Sequence, residues 1–154
     1  MTTKTDFNAE QWSAIVEGPP LAGMIVIAAE RGGTLRESIE MSRAYTDARQ
    51  GQPGGELIDE LLKSPPSIDP ARYSSPEELR SNGFARLREA VGALEGTADT
   101  EEIDSYRGFV LAVAERVAHA HKSGGFLGVG GQEVSDAEQA ALDEVREAIG
   151  AHPV

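Results

Sequence analysis

Two segments of this chain are apolar on every side: Leu21–Arg31 (LAGMIVIAAER) and Gly108–Ala118 (GFVLAVAERVA), the centre of a later helical run. A helix without a polar face has to be enclosed by other elements. Any side turned to water would leave aliphatic surface exposed, at about 25 cal/mol per Å². The first segment is rich in β-branched residues and also suits a strand. Proline at its start and helical patterning around it assign it to a helix. Two enclosed helices require a shell, and helix signals through the rest of the chain supply one.

Asn8 and Gln11 have the spacing of a capping box, with Phe7 and Trp12 at the hydrophobic-staple positions. This first helix is expected to end before Gly18-Pro19-Pro20, because proline cannot donate to a helical ladder. Gly32-Gly33 ends the apolar segment, and Thr34 with Glu37 opens a helix over Leu35–Gln50. A short helix, Glu56–Lys63, carries Leu57, Ile58, Leu61 and Leu62 at amphipathic spacing. That stripe suits either a subunit interface, centred on Leu57 and Leu61, or ordinary packing on the core, and the second is favoured.

A proline-rich connector, residues 64–76, separates two halves. Ser75 caps the next helix, with Pro76 at its first position and Glu78 completing the box. It extends to Leu94, with Asn82-Gly83 as a point where it would kink or split. Another helix runs from Thr100–Glu102 to about Lys122. Ser135 with Glu138 opens the last, which ends at Ile149 with Gly150 as its stop. The expected architecture is one all-α domain over residues 1–154, with six or seven helices around two central ones. Gly23–Arg31 aligns with Gly108–Arg116 at Gly, Ala, Glu and Arg, which suggests a pseudo-two-fold duplication of helix pairs.

Composition excludes several function classes. Without cysteine there are no disulfides, thiolate metal sites or cysteine nucleophiles. The net charge of −12 opposes binding to nucleic acid or to anionic membrane surfaces, and no cluster of Lys and Arg offsets it. The N-terminus lacks an apolar leader and no apolar run approaches the roughly 20 residues of a membrane span, so a cytoplasmic location is expected. A homodimer is expected on the general frequency of two-fold oligomers.

The stretch Lys122–Glu138, KSGGFLGVGGQEVSDAE, looks at first like a ligand cradle. It lacks the lysine and hydroxyl of a phosphate loop and the preceding strand of a dinucleotide fingerprint, and its continuation is acidic. Gly130-Gly131 suits a two-residue hairpin turn, so a short β-ribbon or ordered coil over residues 126–134 is expected, with Phe126 or Leu127 plugging one end of the core. Were Phe126 and Leu127 exposed, they would mark a partner site. Elsewhere, Glu30 and Glu115 close the two apolar segments, and Glu115 and His119 share a helix face at i, i+4. Two carboxylates and a histidine suit a divalent metal held between helices, although the Glu-x-x-His spacing of di-metal bundles is absent. The competing assignment is surface ion pairing with Arg31, Arg116 or neighbours. No Gly-x-Ser-x-Gly elbow accompanies the histidines, and no nucleophile–base set assembles, so a non-enzymatic role is favoured.

The segment GGFLGVGGQEVSDAEQAALDEVREAIG resembles the C-terminal element of a family of all-helical bacterial proteins of unassigned function, in which a GGFLG-GG motif precedes a VS-x-AE helix. Its second part, VSDAEQAALDEVREAIG, is similar to the helix starts of TerB-like tellurite-resistance domains. That resemblance implies an all-α fold with internal duplication and a role in metal or stress responses. TerB-type sequences carry acidic residues in an Asp-Gly turn before the valine-serine cap. Here the turn is Gly-Gly-Gln-Glu, leaving Glu133, Asp136 and Glu138 as stand-ins. Two functions are therefore carried forward. One is a non-catalytic accessory or protein-interaction protein without a cofactor. The alternative is a divalent-metal-binding or metal-responsive protein using Glu30, Glu115, His119, Glu133 and Asp136.

Overall fold

The computed structural model describes residues 3–29, 35–50, 56–63, 75–123 and 136–150. Among them a 3-10 turn, Lys4–Asp6, precedes six α-helices: α1 (Ala9–Ala29), α2 (Leu35–Gln50), α3 (Glu56–Leu62), α4 (Pro76–Glu95), α5 (Thr100–Ser123) and α6 (Asp136–Ile149). The described residues contain no strand. The stretch expected to form a ribbon or ordered coil, residues 126–134, lies outside them, as does most of the proline-rich connector.

The two apolar segments fall on α1 and α5, which form the centre of the bundle. Helix α1 packs against α4, α5 and α6, and α5 also carries α2. The inward face of α1 is Ala14, Ile15, Leu21, Ala22, Ile25 and Val26, and that of α5 includes Tyr106, Val110, Val113, Ala114 and Val117. Each large aliphatic among them contributes about 1.5–3 kcal/mol by leaving water. Enclosure is incomplete, since Ala28 and Ala112 are exposed. Alanine can stand there cheaply because it presents little apolar surface. The aligned glycines also differ in setting. Gly23 meets Met41, Val113 and Val117, whereas a side chain added at Gly108 would meet open space.

The expected break at Gly18-Pro19-Pro20 does not occur: α1 is continuous through both prolines. Without N–H groups, Pro19 and Pro20 cannot donate to the carbonyls of Ile15 and Val16, four residues back. At Ile15 the lost donor is replaced from another helix. The Tyr106 hydroxyl of α5 donates to the Ile15 carbonyl at 2.8 Å, across 91 residues of sequence. Gly18 makes this approach feasible. A Cβ there would collide with the Tyr106 hydroxyl and lie 3.3 Å from Cζ. Its lack of a Cβ also removes the side-chain part of the clash that proline imposes on the residue before it.

Nor does Asn82-Gly83 split α4. Gly83 is buried where α4 crosses α1, and a Cβ at that position would lie 2.8 Å from Ile25 Cδ1. The glycine marks close helix contact rather than a break.

Local signals elsewhere are realised directly. The Asn8 N–H donates to Gln11 Oε1 at 3.0 Å, and the Gln11 N–H returns a bond to Asn8 Oδ1 at 2.8 Å. Phe7 and Trp12 stack with ring centroids 6.0 Å apart. Ser75 Oγ accepts from the Glu78 N–H at 3.1 Å. Asp99, not singled out from sequence, caps α5 by accepting from the Glu102 N–H at 2.8 Å. Gly150 ends α6 in the left-handed region at φ +74°. Beside it, Arg107 Nε donates to the Ile149 carbonyl at 2.7 Å, placing a cation on a helix C-terminus.

Candidate functional site

The 3-10 turn and the first two turns of α1 form the walls of an open groove of about 700 Å³. Lys4 and Thr5 stand on one wall. Trp12, Ser13, Val16 and Glu17 line the other, sharing a helix face because they recur at three- and four-residue intervals. The capping box at Asn8 and the Phe7–Trp12 stack fix the angle between these walls, so the residues that start the helix also shape the groove. Phe7 and Trp12 are each only 8% exposed, and they form its rigid apolar base.

A polar cluster adjoins the groove at Ser13 and Glu17. Arg86 of α4 reaches across to α1, where Nε donates to Glu17 Oε2 at 2.9 Å and Nη2 to Ser13 Oγ at 3.1 Å. Its remaining nitrogen, Nη1, donates to Glu89 Oε2 at 3.1 Å. The Arg86 and Glu17 side chains are 18% and 15% exposed, well shielded for an ion pair. Burial alone would lower the Arg86 pKa, but hydrogen bonds to Glu17 and Glu89 and their negative charge outweigh it and hold the pKa above its usual value. The guanidinium is therefore a permanent cation, with donors spread over three acceptors.

A second cavity, of about 300 Å³, lies where α1, α4 and α6 meet, with Ile25, Ala28, Ala137, Ala140 and Ala141 around it. Arg80 at its edge is held by Glu144 of α6, with Nε to Oε2 at 3.0 Å. Its walls are mostly methyl groups, and the guanidinium is already bound to a carboxylate.

Of the metal-ligand set expected from sequence, only Glu115 has a described side chain. It accepts from Arg146 Nη2 of α6 at 2.9 Å, while Arg146 also holds Asp143. The ion-pair assignment for Glu115 is thus met, with Arg146 as the partner. The adjacent cation, Arg116, pairs instead with Asp47 of α2. Glu30 and Glu133, and the side chains of His119 and Asp136, lie outside the described residues. No group of three or more His, Asp or Glu side chains among the described residues is placed to hold a metal ion. Glu138, on the first turn of α6, is buried.

The interaction residues divide similarly. Leu57 and Leu61 are 0% and 1% exposed, so α3 packs its stripe on the core and shows neither leucine to a second copy. Phe126 and Leu127 lie outside the described residues. No described helix is long and apolar enough to cross a membrane.

Sequence reasoning missed the groove and the Arg86 cluster. Trp12 had been assigned as a staple, which it is. Nothing local ties Arg86 to a glutamate 69 positions earlier. No family model, curated protein or solved structure matches the chain.

Proposed function

We propose that this protein is a non-catalytic helical interaction protein, and that it holds a segment of a partner protein in the groove beside Phe7 and Trp12. The observation carrying this reading is the groove itself. It is an open trough with an aromatic base, a cation, Lys4, on one wall and the half-buried Glu17–Arg86 ion pair beside the other. Aromatic bases of this kind anchor apolar side chains at interfaces, where a few large contacts supply most of the affinity. The net charge of −12 favours a basic partner, because long-range attraction would raise the association rate and make it fall with salt.

The test uses site-specific photo-crosslinking. One crosslinker is placed at Ala9, exposed on the groove wall, and another at Gln139, exposed on α6. The expected outcome is a basic protein captured from Ala9 and not from Gln139, with less captured as salt is raised. The purified partner should then shift the fluorescence of Trp12, the chain's single tryptophan. Equal capture from both positions, or a purified partner that leaves Trp12 emission unchanged, would refute the reading.

A further inference from the structure

Helix α1 is held together unevenly along its length. Below Gly18 its ladder has the ordinary helical bonds, and above Pro20 it resumes them. Between these points the two prolines supply no donor, so the carbonyls of Ile15 and Val16 lack their usual partners four residues on. Bending α1 here breaks fewer backbone hydrogen bonds than bending it anywhere else along its length. The Ile15 carbonyl is bonded instead to a side chain of another helix, the fully buried Tyr106 hydroxyl.

The two parts of α1 are also attached to the bundle differently. The part beyond Pro20 buries Leu21, Ala22, Ile25 and Val26 at the centre, with glycine-permitted close contacts to α2, α4 and α5. The part before Gly18 is tied at its edge by Arg86, through Ser13 and Glu17, and by the burial of a smaller apolar set that includes Trp12 and Ile15. Every residue lining the N-terminal groove belongs to this first part.

We propose that α1 carries a hinge at Gly18–Pro20, latched by the Tyr106 hydroxyl, about which residues 3–17 open as one unit while the rest of the bundle stays folded. The arm carries its groove intact when it moves, because both walls and the capping box travel with it. The latch sets how often this happens. While Tyr106 donates to Ile15, opening costs a buried hydrogen bond. Without that bond, the arm is joined to the bundle only by side-chain packing and the Arg86 cluster. The hinge stands whether or not the groove holds a partner.

Native-state hydrogen exchange on the full chain tests it, comparing amides 12–17 of the arm with amides 110–118 of α5. In Tyr106→Phe the arm amides are expected to exchange about ten-fold faster or more, as loss of a buried hydrogen bond implies, with the α5 amides little changed. Adding Pro19→Ala restores an N–H to the Ile15 carbonyl, so the double variant should return most of the arm's protection. Should Tyr106→Phe fail to fold, Pro19→Ala alone is decisive, and it should slow arm exchange several-fold. Equal acceleration in α5, unchanged arm exchange in either single variant, or no recovery in the double variant would each overturn the hinge.

Discussion

Replacing Gly18 by alanine should destabilise this protein, although the same change at other helical glycines should stabilise it. In a helix interior, glycine-to-alanine is worth about 1 kcal/mol in favour of alanine, because glycine loses more chain entropy on folding. At Gly18 that gain meets a larger loss. The new methyl would collide with the Tyr106 hydroxyl, forcing the ring away from the Ile15 carbonyl. The buried carbonyl and hydroxyl then lose their bond, at about 1–3 kcal/mol. Crowding against the Tyr106 ring adds about 1–3 kcal/mol more. The net effect is a loss of about 1–5 kcal/mol, which for a chain of this length lowers the melting temperature by roughly 3–15 °C. Gly92 and Gly108 are the internal controls, both on exposed helical turns with no atom near an added Cβ. Alanine at either should raise stability by about 0.5–1 kcal/mol. Urea denaturation followed by circular dichroism and by Trp12 fluorescence measures all three variants. In a Tyr106→Phe background the Gly18→Ala penalty should shrink, because the hydroxyl it strikes is gone. If Gly18→Ala is neutral or stabilising, like Gly92→Ala, the account of why α1 passes through two prolines is wrong.

Three further outcomes follow from the same contacts. Arg86→Lys should lose most of what Arg86→Ala loses, about 2 kcal/mol by urea denaturation, because a single ammonium cannot reproduce the fork spanning Ser13, Glu17 and Glu89. A lysine variant as stable as the wild type would contradict that. Glu115→Gln should cost no more than about 1 kcal/mol, since its pair with Arg146 is 44% and 31% exposed. A loss well above that in thermal melts would mean that Glu115 has a stronger partner, such as a bound metal. Stability should also fall in alkali. Burial, with a smaller contribution from Tyr45, pushes the Tyr106 pKa well above its usual value of 10.0, so the folded state holds the proton more tightly than the unfolded chain does. That contribution is complete below about pH 10 and is lost as the pH rises toward the folded-state pKa. Melts across pH 8–11 should show the decline in the wild type and a flatter profile in Tyr106→Phe.

The parts of this fold that were legible in the sequence are those set by neighbours within five residues. The Asn8 and Ser75 caps, the Phe7–Trp12 staple and the Gly150 stop all bond or pack within one turn, so residue type and spacing suffice to place them. The apolar character of α1 and α5 likewise announced two central helices. What could not be read was decided across the chain. Proline at 19 and 20 predicts a helix break by local rules, and the hydroxyl that replaces the donor lost at Ile15 comes from residue 106. Gly83 has a breaker's identity and a spacer's role, which depends on where Ile25 lies. The candidate groove was illegible for the same reason. Its aromatic base was visible as a cap motif, but its depth depends on how the 3-10 turn lies against α1, and the setting of Ser13 and Glu17 on Arg86 from α4.

The Tyr106 bond also bears on the order in which the chain acquires structure. The acceptor at Ile15 is synthesised long before its donor, with the whole of α2, α3 and α4 and the start of α5 between them. Until α5 docks, Pro19 and Pro20 act as their local chemistry dictates, and the nascent segment favours two shorter helical stretches over one. The continuous α1 is therefore expected to form late in folding, on contact with a helix encoded much further along the chain. An N-terminal peptide ending before Tyr106 should keep the Asn8 cap but not the unbroken helix.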